Sequence, residues 1–465
     1  MGDAKVFSAV GAPFLAKQSA ESREQTPPKA GAENKVNKID SSDVRAKHKE
    51  FLFPCVANYY EEPIVLTQGK GSFVRDADGR EYLDFFGGIL TLGLGHCHDE
   101  VIARVHAQIE QLGHTSTLYP TAPIVNVAER LARITPGKLK KSFFTTSGTE
   151  ADETAILLAK LYTGKQEIIA LRHGYSGRSL TAMSLTGHAP WRLVPTQVAG
   201  VSHALSPYCY RCPLGLTYPS CEIKCAQDID ELIRTTTSGQ PAAFIAEPIQ
   251  GVGGFITPPK EYFEIAVGIV RKYGGVFVCD EVQTGFGRTG DHWCGIEHWG
   301  VEPEIMTFAK SIASGFAVGA TIATEEVADA FKGLTISTFG GSPITMSATE
   351  ATLDVMERED TPRRSAERGK QLREHLMVLK DKYKIIGDVR GMGLMQGVEL
   401  VEDRKTKEPA TKRTAKLLEA AKKQGLLIGK GGLYGNVLRI APSMLVSSAD
   451  VDDAAARLDK AFAEV

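Results

Sequence analysis

Two acidic residues and a lysine follow short apolar runs, at positions where they could do chemistry. Asp280 and Glu281 come directly after Val276-Phe-Val-Cys279, and Lys310 comes two residues after Ile305-Met-Thr-Phe308. A lysine at the end of a buried strand is costly unless it is paired or its pKa falls, and Schiff-base chemistry needs such a lowered pKa. An aspartate and a lysine suit a pyridine ring whose nitrogen needs an anion and whose aldehyde needs an amine. By themselves they could equally form a structural ion pair.

A third segment could bind a phosphate. Thr146-Ser-Gly-Thr-Glu150 follows an apolar run and precedes residues 151–162, where apolar side chains recur on one helical face. The N–H groups and the dipole at a helix N-terminus bind phosphate, and Ser147 and Thr149 add hydroxyl groups. Either hydroxyl could instead be an ordinary N-cap. Combined with the lysine and the aspartate, the segment predicts a cofactor site.

The elements that must position these residues alternate between short apolar runs and longer helical patterns. This rhythm predicts an α/β fold with a mostly parallel sheet covered by helices on both faces, and ligands of such sheets bind at the carboxyl ends of strands. A turn signal at Asp78-Gly79 predicts a hairpin, and two further strands are predicted near residues 393–400 and 437–440. The apolar runs of the large sheet are Ser142–Thr145, Glu167–Ala170, Ala243–Ala246, Val276–Cys279 and Ile305–Phe308.

The length of 465 residues allows two domains with a large shared core. We predict a large domain over residues 119–345 and a small domain built from residues 51–118 and 346–465. Residues 1–50 mix Ala, Lys, Glu, Ser and Pro without apolar periodicity, which predicts a mobile leader or arm.

Composition argues against several classes of partner. The chain has 54 basic and 56 acidic residues, a formal charge of −2, and no basic cluster suited to nucleic acid. No apolar run approaches the roughly 18 residues of a membrane helix. The eight cysteines are spread along the chain, which favours a reducing compartment over a disulfide framework. We therefore expect a cytoplasmic enzyme that binds neither nucleic acid nor membrane.

Together these residues resemble the class III (ω-amino acid) aminotransferase family, which has the aspartate-aminotransferase fold called fold type I. The resemblance covers about residue 55 to the end and is nearest to the alanine–glyoxylate aminotransferase 2 type. The matching motifs are Asp84–Ile89 with Gly95-His96, Thr146–Ala151, Glu247–Gly254, Asp280–Gly290, Ala309-Lys310, Thr338–Pro343, Asp388–Met395 and Gly429–Ser443.

The resemblance implies pyridoxal 5′-phosphate as the cofactor and a role for each matching residue. Lys310 would hold the cofactor as a Schiff base and carry the proton during transamination, and Asp280 would pair with the pyridinium nitrogen. Val282 would pack on the ring, and Gln283 would hydrogen-bond its phenolic oxygen. The phosphate would be bound by Ser147, Gly148 and Thr149, with Thr338 reaching the phosphate of a neighbouring subunit. That last role implies a homodimer, with a tetramer as the alternative.

Some positions depart from the family pattern. Aligning Tyr175 with the aromatic ring that stacks on the cofactor continues the pattern through Gly177-Arg-Ser179, whereas another register would make Arg172 the stacking residue. Asp152 and Ser342 stand where Asn is common in the family. Neither departure removes a catalytic group, so we expect both to be neutral.

Substrate recognition is assigned to four residues. Arg439 is expected to hold a substrate carboxylate through two parallel hydrogen bonds, with Glu247 as its partner when no such carboxylate is bound. The alternative is a permanent salt bridge. Phe86 and Ile89 are expected to shape the pocket for the donor, although core packing explains them almost as well.

The expected reaction moves an amino group from a donor to a 2-oxo acid such as pyruvate or glyoxylate in a ping-pong cycle. The donor stays open among alanine, ω-amino and β-amino acids and amines. The alternative function is amino-acid racemisation or 2,2-dialkylglycine decarboxylation, which the same fold type carries out with equivalents of Lys310 and Asp280.

Two other motifs are discounted. Gly285–Gly290 matches the glycine pattern of dinucleotide sites, but a helix should follow it directly, and Asp291-His-Trp-Cys-Gly295 follows instead. No metal is expected. Four cysteines form a minor zinc alternative, although their central spacing is shorter than in zinc ribbons. They are Cys209, Cys212, Cys221 and Cys225.

Overall fold

A seven-stranded sheet lies at the centre of the fold. The computed structural model describes residues 39–56, 58–194 and 198–465. The strands are β1 (Leu66–Lys70), β2 (Phe73–Asp76), β3 (Glu81–Asp84), β4 (Leu139–Thr145), β5 (Glu167–Leu171), β6 (Val201–Ala204), β7 (Pro241–Ala246), β8 (Val276–Asp280), β9 (Ile305–Phe308), β10 (Gly319–Thr324), β11 (Ile386–Met392), β12 (Met395–Leu400), β13 (Leu426–Leu427), β14 (Gly429–Gly431) and β15 (Val437–Ile440).

Helices precede, connect and follow these strands. They are α1 (Ser41–Phe51), α2 (Gly87–Leu90), α3 (Asp99–Gln111), α4 (Ala122–Ile134), α5 (Gly148–Thr163), α6 (Leu180–Leu185), α7 (Lys224–Thr236), α8 (Tyr262–Lys272), α9 (Glu325–Ala328), α10 (Pro343–Glu359), α11 (Thr361–Lys382), α12 (Thr411–Lys423) and α13 (Ser448–Ala463).

The large sheet has the strand order β4-β10-β9-β8-β7-β5-β6. Only β10 runs antiparallel to its neighbours, and the other pairs within this sheet are parallel. The predicted mostly parallel sheet is therefore confirmed, and each of the five predicted runs is a strand. Strands β6 and β10 were not predicted, because β6 is short and half polar and β10 consists mainly of small residues.

The parallel arrangement brings the predicted chemistry to one edge of the sheet. Asp280 is the last residue of β8 and lies opposite Thr307 of the neighbouring strand β9. Lys310 follows two residues after β9, and β4 leads through Ser147 into α5. Because β4, β8 and β9 point in the same direction, their carboxyl ends meet at this edge.

Two smaller four-stranded sheets take their strands from both ends of the chain. One has the order β1-β2-β3-β13, in which β13 pairs in parallel with β3, and the other has the order β11-β12-β15-β14. The hairpin predicted at Asp78-Gly79 joins β2 to β3. Residues Ser41–Val465 form one compact unit, and the division into two domains stays a prediction.

The last part of the predicted arm is helical. Residues 41–51 form α1, whose Ser41 hydroxyl donates to Asp78 at 3.0 Å and whose Arg45 pairs with Glu62 at 2.9 Å. These tertiary contacts hold a helix that has no apolar stripe of its own, which is why periodicity did not reveal it. Residues 1–38 of the predicted arm lie outside the described residues.

Candidate active site

A cavity of about 320 Å³ opens at the carboxyl edge of the large sheet. It brings together all the residues predicted to hold the cofactor except Thr338. Residues that were not predicted also line it, among them Thr91, Asp152 and Phe316. The predicted residues in its wall are Ser147, Gly148, Thr149, Tyr175, Asp280, Val282, Gln283 and Lys310.

Lys310 enters the cavity from a strained turn. Its backbone has a φ of +51°, in the left-handed region, at the first residue of a 3₁₀ helix over Lys310–Ala313. Such strain costs about 1–3 kcal/mol and persists where the surroundings fix it. Here the hydroxyl of Ser311 fixes the turn by donating to the Leu90 carbonyl at 2.8 Å. Burial lowers the pKa of Lys310, against the opposing charges of Asp280 and Glu247, so its amine is easier to deprotonate.

Asp280 lies beside a second buried carboxyl group. Its Oδ1 accepts from the N–H of Val282 at 3.0 Å, and its carboxyl group lies within hydrogen-bonding reach of that of Asp152 on α5. Asp152 also accepts from the Thr307 hydroxyl at 2.7 Å. From the sequence, an aspartate in place of the usual Asn at position 152 was expected to have no effect on the site. A signal was available, because helical spacing places Asp152 on the buried face of α5, one turn after Gly148.

Glu247 is held at the end of β7 by main-chain donors. Its carboxyl group accepts from the N–H of Tyr175 at 3.1 Å and from the N–H of Gly251 at 2.8 Å. Burial, followed by the charge of Asp280, raises the pKa of Glu247 to about 8. Near neutral pH this carboxyl group is therefore readily protonated.

Arg439 of β15 does not form the predicted pair with Glu247. Its Nη2 donates to Gln283 Oε1 at 2.7 Å, and Gln283 Nε2 lies 3.4 Å from Glu247. Gln283 therefore stands between Arg439 and Glu247, whose carboxyl oxygens already accept from main-chain N–H groups. The guanidinium packs on Phe86 and Phe255 at 5.2 and 4.9 Å, and its buried Nε–H has no partner within the described residues. Arg439 thus keeps hydrogen-bonding capacity for a ligand.

The two residues predicted to shape the donor pocket, Phe86 and Ile89, differ in burial and in their position relative to the cavity. Phe86 is buried, packs on Arg439 and contacts the ring of Tyr59 at 5.8 Å. Ile89 is 48% exposed and lies outside the cavity wall. Tyr59 was missed because its segment has neither periodicity nor a chemical motif.

The phosphate end of the cavity is built by the start of α5. Ser147 is the N-cap of this helix, and its hydroxyl oxygen accepts from the Glu150 N–H at 3.3 Å. The next N–H groups have no acceptor within the helix, as at any helix N-terminus. A Cβ at Gly177 would lie 2.2 Å from Thr149 Oγ1, so this glycine lets the loop approach the helix start closely.

Together these groups fit pyridoxal 5′-phosphate. The helix start matches a phosphate, the buried Asp280 matches a ring nitrogen, and the Lys310 amine matches an aldehyde. A Cβ at Gly148 would lie 3.2 Å from both methyl groups of Val282, so the missing side chain leaves this end of the cavity open.

Of the two residues considered for the stacking position, only Tyr175 lines the cavity. Its ring lines the cavity and meets Trp191 edge-on at 5.6 Å, whereas Arg172, the alternative in the other register, is exposed. Ser342, the other departure from the family pattern, is the N-cap of α10 and accepts from the Thr345 N–H at 3.5 Å.

The remaining predicted residues lie elsewhere. Thr338 is exposed and outside the cavity.

In the described part of the chain, no three His, Cys, Asp or Glu side chains form a group that could hold a metal ion. Gly285–Gly290 forms turns with no helix directly after them. None of the described helices is both long and apolar enough to cross a membrane. The thiols of the zinc alternative are free, at Cys209, Cys212, Cys221 and Cys225.

Comparison with known proteins agrees with this geometry. The family model described as Aminotransferase class-III matches residues 55–462. Alanine–glyoxylate aminotransferase 2 homolog 2, mitochondrial, of Arabidopsis thaliana is 43% identical over 437 residues, which cover 94% of this chain and 90% of that protein. The human alanine–glyoxylate aminotransferase 2, mitochondrial, is 36% identical over 459 residues, with coverages of 94% and 89%.

Solved structures give the same result. An (S)-enantioselective omega-transaminase from Thermomicrobium roseum matches with a TM-score of 0.85 at 32% identity, covering 92% of this chain and 99% of that one. The chain therefore belongs to the class III aminotransferases, enzymes of fold type I that carry out transamination with pyridoxal 5′-phosphate.

Proposed function

We propose that the protein transfers an amino group from alanine, an ω- or β-amino acid or an amine to a 2-oxo acid, with glyoxylate or pyruvate as acceptor. The relatives named alanine–glyoxylate aminotransferase 2 support alanine and glyoxylate as the first pair to test. The observation that carries the choice of an oxo acid is Arg439. This guanidinium is buried beside the cavity, is bound to Gln283, and has an Nε–H without a partner in the described residues.

The geometry of Arg439 suits a carboxylate. A guanidinium offers a planar fork of N–H donors that binds a carboxylate through two parallel hydrogen bonds. Arg439 carries a positive charge between two aromatic rings and has no direct ion pair with Glu247. An incoming carboxylate would provide the charge partner, while a donor without that group would leave Arg439 bound to Gln283.

Two residues carry the chemistry in this proposal. When bound, pyridoxal 5′-phosphate supplies an aldehyde that bonds to amines and a ring that withdraws electrons from the substrate Cα. Lys310 Nζ holds the cofactor, then takes the proton released from the substrate Cα and returns it, as base and then acid. Its lowered pKa favours the neutral amine that this task requires. Asp280 holds the proton on the ring nitrogen.

Other residues bind and orient the cofactor. Tyr175 and Val282 enclose the ring, and Gln283 hydrogen-bonds its phenolic oxygen while holding Arg439. Ser147, Gly148 and Thr149 bind the phosphate at the start of α5 through main-chain N–H groups and hydroxyls. Phe86, which packs on Arg439, limits donor size, whereas a role for Ile89 in donor choice stays a prediction because its side chain lies outside the cavity wall.

Replacing Arg439 tests the acceptor. Arg439→Ala should raise KM for glyoxylate and pyruvate by roughly 10- to 150-fold, because a hydrogen bond to a charged group is worth about 1.5–3 kcal/mol. Arg439→Lys should lose part of this affinity, since a lysine cannot bind in the bidentate way. Steady-state kinetics with each acceptor measures both effects.

An uncharged aldehyde acceptor is the control, because its KM should stay the same in Arg439→Ala. The exposed Arg363→Ala on α11 controls for loss of a charge elsewhere. An unchanged KM for glyoxylate in Arg439→Ala would contradict the proposal.

Incubation with single amino acids without acceptor separates transamination from the alternative functions, since sustained racemisation or CO₂ release would favour a racemase or decarboxylase.

We further propose a homodimer. Exposed apolar side chains occur on two neighbouring segments, which the ring contact of His114 with Phe339 at 5.1 Å brings together. Contiguous exposed apolar surface of this kind is typical of an interface. Thr338 lies within the second segment. In a dimer packed through this surface, Thr338 of one copy would lie near the phosphate site of the other copy. The exposed apolar residues are Leu112, Leu118, Tyr119, Leu334, Ile336 and Phe339.

The cytoplasmic location stays a prediction. Two of the relatives are named as mitochondrial proteins. Imaging of the tagged protein in cells would distinguish a cytoplasmic from a mitochondrial location.

A further inference from the structure

Two carboxyl groups share the floor of the cavity. Asp152 of α5 is 1% exposed and Asp280 of β8 is 4% exposed, and the two carboxyl groups line the cavity within hydrogen-bonding reach of each other. A hydrogen bond between two carboxyl groups requires a proton on one of them. Two adjacent buried carboxylates repel each other strongly, so such a pair holds one proton across the neutral range.

The surroundings decide which carboxyl group holds the proton. Asp280 accepts from the Val282 N–H at 3.0 Å and feels the positive charge of Lys310, and both favour its anion. Asp152 accepts from the Thr307 hydroxyl at 2.7 Å and is buried more deeply. Burial, followed by the charge of Asp280, raises the pKa of Asp152 well above its usual range. The proton therefore belongs on Asp152.

We propose that Asp152 is a positioning residue whose protonated carboxyl group donates a hydrogen bond to Asp280 and orients it, as the anion, toward the cofactor's ring nitrogen. This inference rests on the proposed role of Asp280. It also accounts for the departure from the family pattern, because an Asn side chain at this position can donate the same hydrogen bond from an amide that does not titrate. The aspartate therefore makes the same contact sensitive to pH.

The pH dependence follows from the charged groups around Asp152. Asp280 and Glu247 disfavour its anion, whereas Lys310 and the Thr307 hydroxyl favour it. When the pH rises through the raised pKa of Asp152, the donor is lost and two carboxylates face each other. Turnover should then fall on the alkaline side.

Three variants test the proposal. Asp152→Ala removes the donor and should lower kcat roughly 10- to 100-fold, as is common for groups that orient a functional residue. Asp152→Asn should recover most of that loss and abolish the alkaline fall. Thr307→Val removes a hydroxyl that favours the charged form of Asp152, so the alkaline fall should move to higher pH.

Two spectroscopic readouts do not depend on turnover. The infrared difference spectrum of wild type minus Asp152→Asn should contain a C=O stretching band from the protonated carboxyl group of Asp152 near neutral pH, and the subtraction cancels the band of the protonated Glu247. Nitrogen NMR of the enzyme loaded with ¹⁵N-labelled pyridoxal 5′-phosphate should show a protonated ring nitrogen in the wild type and in Asp152→Asn. The fraction of protonated ring nitrogen should decrease in Asp152→Ala.

The outcomes separate this inference from the proposed function. Absence of the infrared band, an Asn variant as impaired as the Ala variant, or an alkaline fall unmoved by Thr307→Val would overturn the role of Asp152. In each case the role of Asp280 could still stand. A ring nitrogen that stays protonated in Asp280→Asn would instead overturn the role of Asp280.

Discussion

At the scale of single residues, Lys310 combines two unfavourable features. Its backbone occupies the left-handed region, and burial lowers the pKa of its amine against the opposing charges of Asp280 and Glu247. Neither feature stabilises the fold, and both suit a reactive amine at the cofactor. The strained turn also points to selection for function at this position, because strain of this kind persists at sites where it is used.

Replacing Lys310 should separate chemistry from folding. Lys310→Ala should keep the fold, remove the unfavourable burial of an amine, and lower turnover by at least 10²–10⁴-fold, the usual contribution of general acid–base catalysis. After borohydride reduction of the loaded wild type, peptide mass spectrometry should find the cofactor attached to Lys310. Circular dichroism checks that the variant is folded.

The control is Lys412→Ala, an exposed lysine on α12, which should keep turnover and attachment. Attachment of the cofactor at another lysine, or retained transamination in Lys310→Ala, would show that the assignment is wrong.

Local pattern predicted Lys310, Asp280 and the start of α5 because each follows a strand within a few residues. The contact between Asp152 and Asp280 could not be predicted in this way, because it joins a helix to a strand more than a hundred residues away. The position of Gln283 between Arg439 and Glu247 was not predicted for the same reason. Arg439 binds Gln283 and not Glu247 because main-chain N–H groups already occupy the Glu247 oxygens, and the sequence does not reveal these long-range contacts.

At the scale of elements, the cofactor cavity depends on a loop and a helix that touch. The loop through Tyr175–Gly177 packs on the first turn of α5, and Gly177 has a φ of +128° there. A side chain at this position would collide with Thr149. The proposed phosphate site at Thr149 and the proposed stacking residue Tyr175 are therefore held together by this contact.

Adding one methyl group should break this connection. Gly177→Ala would place a Cβ 2.2 Å from Thr149 Oγ1 and strain the backbone by about 1–3 kcal/mol. We expect the Kd for pyridoxal 5′-phosphate to rise roughly 10-fold or more, as measured by titrating the apoenzyme and following absorbance.

The matched control is Gly268→Ala in the middle of α8, where a Cβ would meet no atom within 4 Å. There the change should raise helix stability by about 0.5–1 kcal/mol and leave the Kd unaffected. Equal affinity in the two variants would contradict the proposed connection.

Element types were predictable where the pattern is strong. The five central apolar runs and the amphipathic face of α5 follow from burial on both faces of a sheet. The exceptions, β10 and α1, depend on tertiary contacts instead of local preference. Strand β10 is stabilised by neighbours on both sides, and α1 by contacts such as Arg45 with Glu62.

At the scale of the whole molecule, exposed apolar side chains around Phe339 predict a second copy. Phe339→Asp should shift the sedimentation profile from dimer, or from tetramer, toward monomer, because a carboxylate would be buried in the interface. Thr338→Ala should keep the oligomer and weaken cofactor binding. Analytical ultracentrifugation and cofactor titration measure these effects.

Val378→Asp on α11 is a matched control, because Val378 is 65% exposed and Phe339 is 64% exposed. This control should leave the oligomer intact. A wild type that sediments as a monomer at all concentrations would refute the proposed dimer.

The parallel pairing of β13 with β3 also sets the order in which the chain can finish folding. Leu426 pairs with Leu83, so more than three hundred residues separate the partners. Closing so long a loop is slow, and a nascent chain on the ribosome cannot close it until residue 427 has emerged. Until then one edge of β3 has unpaired N–H and C=O groups, which are a template for aggregation. Translation that stops before Leu426 should therefore leave a chain that contains Lys310 but exposes this edge of β3 to aggregation.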